Sequence, residues 1–175
     1  MQIATERLVL LPWRADDLAA LVEMQADPEV MADYGGPQGP DASAAKLKRY
    51  QAAYDALGFT RWTVETAGAF IGYVGVMPIF PGHPRDPGHE IGWRLVRAAW
   101  GRGYASEAAR AALVDAFARV GLAEVLSYTA PDNLRSQAVM ARLALTRRPE
   151  LDFVQVLEGR DWIGRVWSAA PDRFV

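Results

Sequence analysis

The sequence contains no cysteine among its 175 residues. Structural disulfides, thiolate nucleophiles and Cys-rich zinc sites are thereby excluded. Histidine is scarce. His83 and His89 are the only two, too few for a histidine metal cage without heavy carboxylate help, so no metal is expected. Charge of one sign is lacking too: 19 Lys and Arg stand against 21 Asp and Glu, a net charge of −2. Such a balance provides no global field for nucleic acid. No stretch approaches the roughly 20 apolar residues of a membrane span. The opening MQIATERLVLLPW lacks the basic segment and apolar run of a signal peptide. These absences predict a cytoplasmic protein that engages neither nucleic acid nor membrane.

What is present suits a packed core. Apolar residues make up 51% and charged residues 23% of the chain, an ordinary globular composition. At roughly 100–200 residues per domain, residues 1–175 are expected to form one domain. A chain near this size buries roughly 70% of its unfolded surface, enough for stability without metals or disulfides.

Periodicity and punctuation predict the elements. Residues 7–11, RLVLL, read as a strand stopped by Pro12. Asp16 and Asp17 suit a helix start, and Asp27-Pro28 ends that helix. GGPQGP (35–40) is a loop, followed by a helix over 41–57 with Gly58 as its stop. FTRWTVET (59–66) and AFIGYVGVM (69–77) form a hairpin around Ala67-Gly68. The proline-rich stretch 78–88 is irregular, and HEIGWRLV (89–96) is a strand. Ala105, Ala108, Ala109, Ala112, Leu113, Ala116, Phe117 and Val120 make one continuous apolar stripe, a helix stopped by Gly121. A strand over 123–130 and a helix capped by Asp132 or Asn133 and reaching about Leu145 follow. In the tail, LDFVQVL and RVWSA read as two short strands with Gly159 between them. A hairpin followed by a strand–helix–strand crossover implies an α/β fold, a mixed sheet with helices on its faces.

The chemistry concentrates in Trp100-Gly101-Arg102-Gly103-Tyr104-Ala105-Ser106-Glu107, which joins a strand to the striped helix. A helix N-terminus carries unpaired N–H groups and partial positive charge, and glycines let backbone approach a phosphate. No Lys followed by Ser or Thr completes a Walker loop. A dinucleotide fingerprint would need glycine where Ser106 stands. Glu124, about 20 residues on, opens its strand, whereas the ribose-binding acid should close one. A tight turn that binds nothing accounts for the loop alone equally well.

The wider sequence resembles the GNAT superfamily of N-acetyltransferases, within it the ribosomal-protein alanine acetyltransferase-like branch. TERLVLLPW with ADDL, then DPEV and GGP, EIGWRL followed by WGRGYASEA, and APDNLRSQAVMARLAL carry the likeness over most of the chain. The loop is similar to the pattern Gln/Arg-x-x-Gly-x-Gly/Ala, with Gly103 and Ala105 in the small positions and Trp100 departing at the first. The resemblance implies a central, mostly antiparallel sheet with a splayed parallel strand pair and acetyl-CoA as cosubstrate. It implies that Leu95 and Val96 offer backbone groups to pantetheine. Gly101, Arg102, Gly103, Tyr104, Ala105 and Ser106 would hold the pyrophosphate, and Asn133 would bind the pantetheine arm. Asn133 equally reads as a bare helix N-cap.

The same resemblance assigns Glu90 as general base and Ser136 as proposed general acid, with Leu95 N–H as oxyanion donor. A half-buried carboxylate can deprotonate an ammonium directly or through water. Glu90 reads equally as one half of a cross-strand salt bridge with an arginine, and Ser136 as a first-turn residue bonding the backbone. His89, its neighbour, points to the opposite face. Tyr104 and Tyr128 are alternative acids. Trp62, Tyr73, Trp93, Phe153 and Trp162 either line an acceptor pocket or pack the core. Arg14, Arg61 and Arg94 either hold a carboxylate or form salt bridges.

The branch usually ends the later helix with Leu-Gly, where this chain has Leu143-Ala144. A left-handed alanine would cost roughly 1 kcal/mol. An altered helix end or a moved tail is therefore expected. Three functions follow: acetyl transfer to a primary amine, small-molecule or peptide N-terminal; a noncatalytic acyl-CoA-binding or sensing module; and, more weakly, an NAD oxidoreductase, against which the early hairpin argues. Homodimers are common among such folds, and no residue here decides the oligomeric state.

Overall fold

The computed structural model describes residues 1–157 and 160–174. The elements run β1 (Ile3–Ala4), β2 (Val9–Leu11), α1 (Leu18–Ala26), α2 (Pro40–Leu57), β3 (Arg61–Thr66), β4 (Ala69–Pro78), β5 (His89–Leu95), α3 (Tyr104–Ala118), β6 (Val125–Thr129), α4 (Leu134–Arg142), β7 (Thr146–Arg147), β8 (Phe153–Leu157) and β9 (Arg160–Ala169). In space the strands lie in the order β1-β2-β3-β4-β5-β6-β9-β7, and β8 also pairs with β9. Among the described strands only β5 and β6 are parallel. The α/β mixed, mostly antiparallel sheet expected from the sequence is what forms.

Alternation along the strands divides the core into two layers. Trp62, Val64, Val74, Val76, Ile91 and Leu95 share one face with Ala108, Ala109, Ala112, Leu113, Ala116 and Phe117 of α3. The alanines let the helix lie close to the sheet, and Leu113, fully buried, fills the gap they leave. Truncating such a leucine to alanine costs about 2–5 kcal/mol. On the opposite face, Leu21 and Met24 of α1 and Leu47 and Tyr50 of α2 pack with Trp13 and Tyr73. Pro40 occupies the first turn of α2, and Gly58 ends it in the left-handed region, its N–H bonded to Tyr54 O. Ala67 and Gly68, both at positive φ, make the two-residue turn that a twisted hairpin prefers. No helix among the described residues is long and apolar enough to cross a membrane.

Four expectations need correction. β1 was not foreseen, because two residues carry no period. β9 begins at Arg160, not at 165; the expected turn glycine, Gly159, lies outside the described residues. α4 ends at Arg142, short of Leu145. Finally, Ala144 itself takes the left-handed conformation. Its φ is +55°, and the Leu145 N–H reaches back to Met140 O at 3.0 Å. That 6→1 bond closes the helix as a glycine would, with alanine bearing the strain.

Candidate functional site

β5 and β6 pair at a single register position, Glu90 with Leu126. Ser127 Oγ then donates to Ile91 O at 3.2 Å, and beyond this point the strands part. The parity of β5 decides what the opening sees. Val96 N–H donates to Ile71 O of β4 at 3.0 Å, and Val96 O accepts from Ala99 N–H at 3.0 Å. Even-numbered residues therefore bond toward β4, and the main-chain groups of Trp93 and Leu95 turn into the opening. Trp93 and Leu95 line the opening, while the Val96 N–H is engaged with β4.

The opening continues into a cleft of about 640 Å³ lined by Trp93, Arg94, Leu95, residues 99–106, Asn133, Arg135, Ser136, Ala138, Val139 and Arg142, with Val30 and Asp33 at one end. This volume is ordinary for a small-molecule site. Gly101 and Gly103 have φ of +73° and +80°. The left-handed Gly103 turns the chain into α3. The Glu107 N–H bonds Gly103 O, while the N–H groups of residues 101–106 have no protein acceptor among the described residues. Ser106 Oγ is buried without a partner. Free donors at a helix start, together with an orphaned hydroxyl and Arg102, Arg135 and Arg142 along the wall, suit a pyrophosphate. These residues thus fit a coenzyme A-type ligand.

The loop is held from behind by the chain's first turn. Glu107 accepts from Thr5 Oγ1 at 2.6 Å, from Arg7 N at 3.0 Å and from Arg7 Nε at 2.7 Å. Arg7 also donates to Arg102 O at 3.0 Å and lies over the Tyr104 ring. Burial pushes the Glu107 carboxyl up, but the Thr5 and Arg7 hydrogen bonds prevail and leave it below the usual carboxylate range. Trp100, the residue that departs from the loop pattern, donates its indole N–H to Leu95 O at 2.9 Å. It stacks beneath Arg135, so it ties the end of β5 to the loop.

On α4, Asn133 is the N-cap: its Oδ1 accepts from Ser136 N–H at 3.1 Å, while its Nδ2 donates to Asp33 at 3.0 Å. Ser136 therefore has its backbone capped and its side chain at the cleft wall. Asn133 and Ser136 line the same cleft as the loop.

Glu90 is elsewhere. It lies on the sheet face beneath α1 and α2, opposite Met77, and forms an ion pair with Arg61 of β3. Neither Glu90 nor Val96 lines the cleft. Arg61 reaches Glu90 by crossing Gly92: a Cβ at Gly92 would stand 2.7 Å from Arg61 Nη2. Across β4, a Cβ at Gly75 would stand 2.2 Å from Thr60 O. Gly92 thus makes room for the guanidinium, and Gly75, its partner on β4, lets the β3 backbone approach. Arg61 Nη1 also donates to Tyr50 Oη at 3.3 Å. Burial lowers the Arg61 pKa, but Glu90, Tyr50 and Tyr73 together outweigh this and hold it well above its ordinary value.

The remaining candidates divide by place. Trp62, Tyr73 and Phe153 are buried in the core, while Trp162 packs on Phe153 and Tyr128. Arg14 pairs with Asp17 and Glu65 away from the cleft. Arg94 pairs with Asp33 at 2.8 Å and also donates to Val30 O. His89 packs against Phe59. Tyr128 stacks on His83, and burial pushes its phenol far above its ordinary value. Lys46 was missed by sequence reading. It sits in an ordinary-looking helix, 8% exposed, with its Nζ buried and unpartnered. Burial pulls its pKa down to about 8, with Arg94, Arg61 and Arg49 adding repulsion against the opposing pull of Tyr50. Among the described residues, no group of three or more His, Asp and Glu side chains converges as a metal site would.

Comparison with known proteins gives this geometry a family. A model of the acetyltransferase (GNAT) domain matches residues 7–146. FsC-acetyl coenzyme A-N(2)-transacetylase of Aspergillus fumigatus is 34% identical over 149 residues, covering 81% of this chain and 63% of that protein; the chain thus spans less than two thirds of that relative's length. The uncharacterized N-acetyltransferase YoaA of Bacillus subtilis is 22% identical over 175 residues, 98% of this chain and 97% of that one. An acetyltransferase structure from Agrobacterium tumefaciens superposes with a TM-score of 0.80 at 29% identity, covering 97% and 94% of the two chains. RimL, a ribosomal alpha-N-protein acetyltransferase solved with coenzyme A, superposes with a TM-score of 0.78 at 15% identity over 97% and 98%, a likeness of fold. The chain belongs to the acetyltransferase (GNAT) family.

Proposed function

We propose that the protein moves an acetyl group from acetyl-CoA to a primary amine, as a single domain spanning residues 1–175. The observation that carries this reading is the continuous cleft from the β5–β6 opening to the free N–H groups of residues 101–106. Gly101 through Ser106 hold the pyrophosphate, and Trp93 and Leu95 pair with the pantetheine arm. Asn133 exchanges Asp33 for that arm while keeping its cap. The Leu95 N–H donates to the oxyanion as the amine attacks the thioester carbonyl, the role backbone donors play in other acyl-transfer sites. The C–S bond breaks, and the thiolate, with a thiol pKa of roughly 8.5, departs with little help. The second nitrogen proton, released as the amide forms, passes to the thiolate through Ser136 at the cleft wall, whose hydroxyl gives its own proton to sulfur and takes the nitrogen's.

The attacking amine must first lose a proton. Glu90 takes it through water. The ion pair with Arg61 fixes the orientation of the Glu90 carboxylate on its sheet face. A second reading rests on that same ion pair: a carboxylate locked to a buried arginine suits a noncatalytic acyl-CoA-binding module. Titration calorimetry with acetyl-CoA, NAD as control, followed by an amine screen, separates them. Binding with transfer supports the enzyme, and binding without transfer to any amine supports the module. No binding at millimolar acetyl-CoA overturns both.

A further inference from the structure

Beside the cleft, α2, β3 and β5 bring three buried cations together on one sheet face: Lys46, Arg61 and Arg94. Two carboxylates answer them. Glu90 pairs with Arg61 and Asp33 with Arg94. Lys46 has none among the described residues: its Nζ is buried without a hydrogen-bond partner, as are Nε of Arg61 and Nε of Arg94. A buried ammonium lacking a counter-charge is costly unless something supplies one. The place from which it could come is defined by Tyr34. Its ring lies 4.6 Å from Lys46 Nζ and 5.3 Å from Arg94 Cζ, and it is 50% exposed. One half-exposed aromatic ring therefore lies against both cations. It rides on a loop whose next two residues, Gly35 and Gly36, adopt positive φ. Arg94 also lines the cleft itself, so the cation pair and the thioester site are adjacent parts of one surface.

We infer that Lys46 and Arg94 form a carboxylate subsite beneath Tyr34, and that the acceptor is an amine that itself carries a carboxylate, a free amino acid or an acidic peptide. This deepens the acetyltransferase reading and rests on it for the acceptor, though not for the anion site. With Tyr34 turned outward, the acceptor's carboxylate bonds the Lys46 ammonium and the Arg94 guanidinium, and its amine extends toward the β5–β6 opening.

The test uses the full chain and pairs of acceptors that differ only in the carboxylate. Amino acids are compared with their amides, and peptides bearing Glu at the second position with their Gln counterparts. The acid should be preferred by at least about tenfold in kcat/KM, the scale of one charge-assisted hydrogen bond. The arm that shows the preference tells amino acid from peptide. Lys46→Met should bring kcat/KM for the acid down to that for the amide while raising Tm, because it removes an unpaired buried charge; a merely structural lysine would not couple the two. Independently of activity, glutarate should raise the Tm of the wild-type chain and not that of Lys46→Met. Equal use of acid and amide, or glutarate stabilisation that survives Lys46→Met, overturns the inference. A Lys46-dependent glutarate shift without transfer to any amine leaves the anion site standing and overturns the acetyltransferase reading instead.

Discussion

The two flanks of the strand opening are built on opposite principles. On the side of residues 100–106, the backbone faces the cleft: N–H groups without acceptors, two left-handed glycines and a helix start. On the side of α2, charged side chains converge from three elements and close over one another, Lys46, Arg61 and Arg94 against Glu90 and Asp33. Backbone donors are fixed in place and blind to side-chain identity, which suits a phosphate common to every reaction of the family. Long side chains can be exchanged one at a time, which suits an acceptor that differs between relatives.

This contrast can be broken by experiment. The largest expected effect is on the side-chain flank. Glu90→Gln should lower kcat about 10²–10³-fold in steady-state assays with acetyl-CoA binding retained, the usual scale of general-base loss; a drop in Tm at unchanged kcat would make Glu90 a structural partner of Arg61 only. On the backbone flank, Gly103→Val forces a β-branched residue into φ of +80° and covers the free donors. Acetyl-CoA affinity by calorimetry should fall at least about tenfold, and unaltered affinity would remove the loop from the phosphate site.

Smaller effects sharpen the contrast. Glu107 lies behind the loop, and its folded-state pKa is depressed. The stability it contributes is therefore fully present above its unfolded pKa, about 4.3, and lost as pH falls through the lower folded value. Thermal melts of Glu107→Gln and the wild-type chain should converge in acid and diverge toward neutrality. Smallest of all, Ala144→Gly relieves a left-handed alanine. It should add about 1 kcal/mol, roughly 2–4 °C in Tm, and leave both flanks untouched.

The same contrast explains what the amino-acid sequence revealed. The stripe from Ala105 to Val120 announced α3, and the glycines at 101 and 103 announced the loop, because both signals are local. The Asn133 cap on Ser136 was legible for the same reason, since the two stand three residues apart on one turn. The partner of Glu90 was foreseen as an arginine but not as Arg61, since that pairing depends on the register of β3, β4 and β5. The room that Gly92 leaves for Arg61 was invisible for the same reason. Lys46 passed unnoticed because a lysine in an Ala-rich helix is ordinarily solvated; nothing within α2 says that Tyr34 and Arg94 will bury it. Which of the neighbours Leu95 and Val96 turns its N–H away from β4 was not legible either, because it depends on the register of β4 and β5.

The grip of Thr5 and Arg7 on Glu107 and Arg102 joins residues about a hundred positions apart. Whatever steadies the phosphate loop must then steady the first strand as well. Ligand binding and the anchoring of the chain's beginning become two readouts of one free energy. Acetyl-CoA should slow amide hydrogen exchange at Arg7 and Leu8, far in sequence from any group it touches, and Arg7→Ala should uncouple the two without removing a single donor from the cleft.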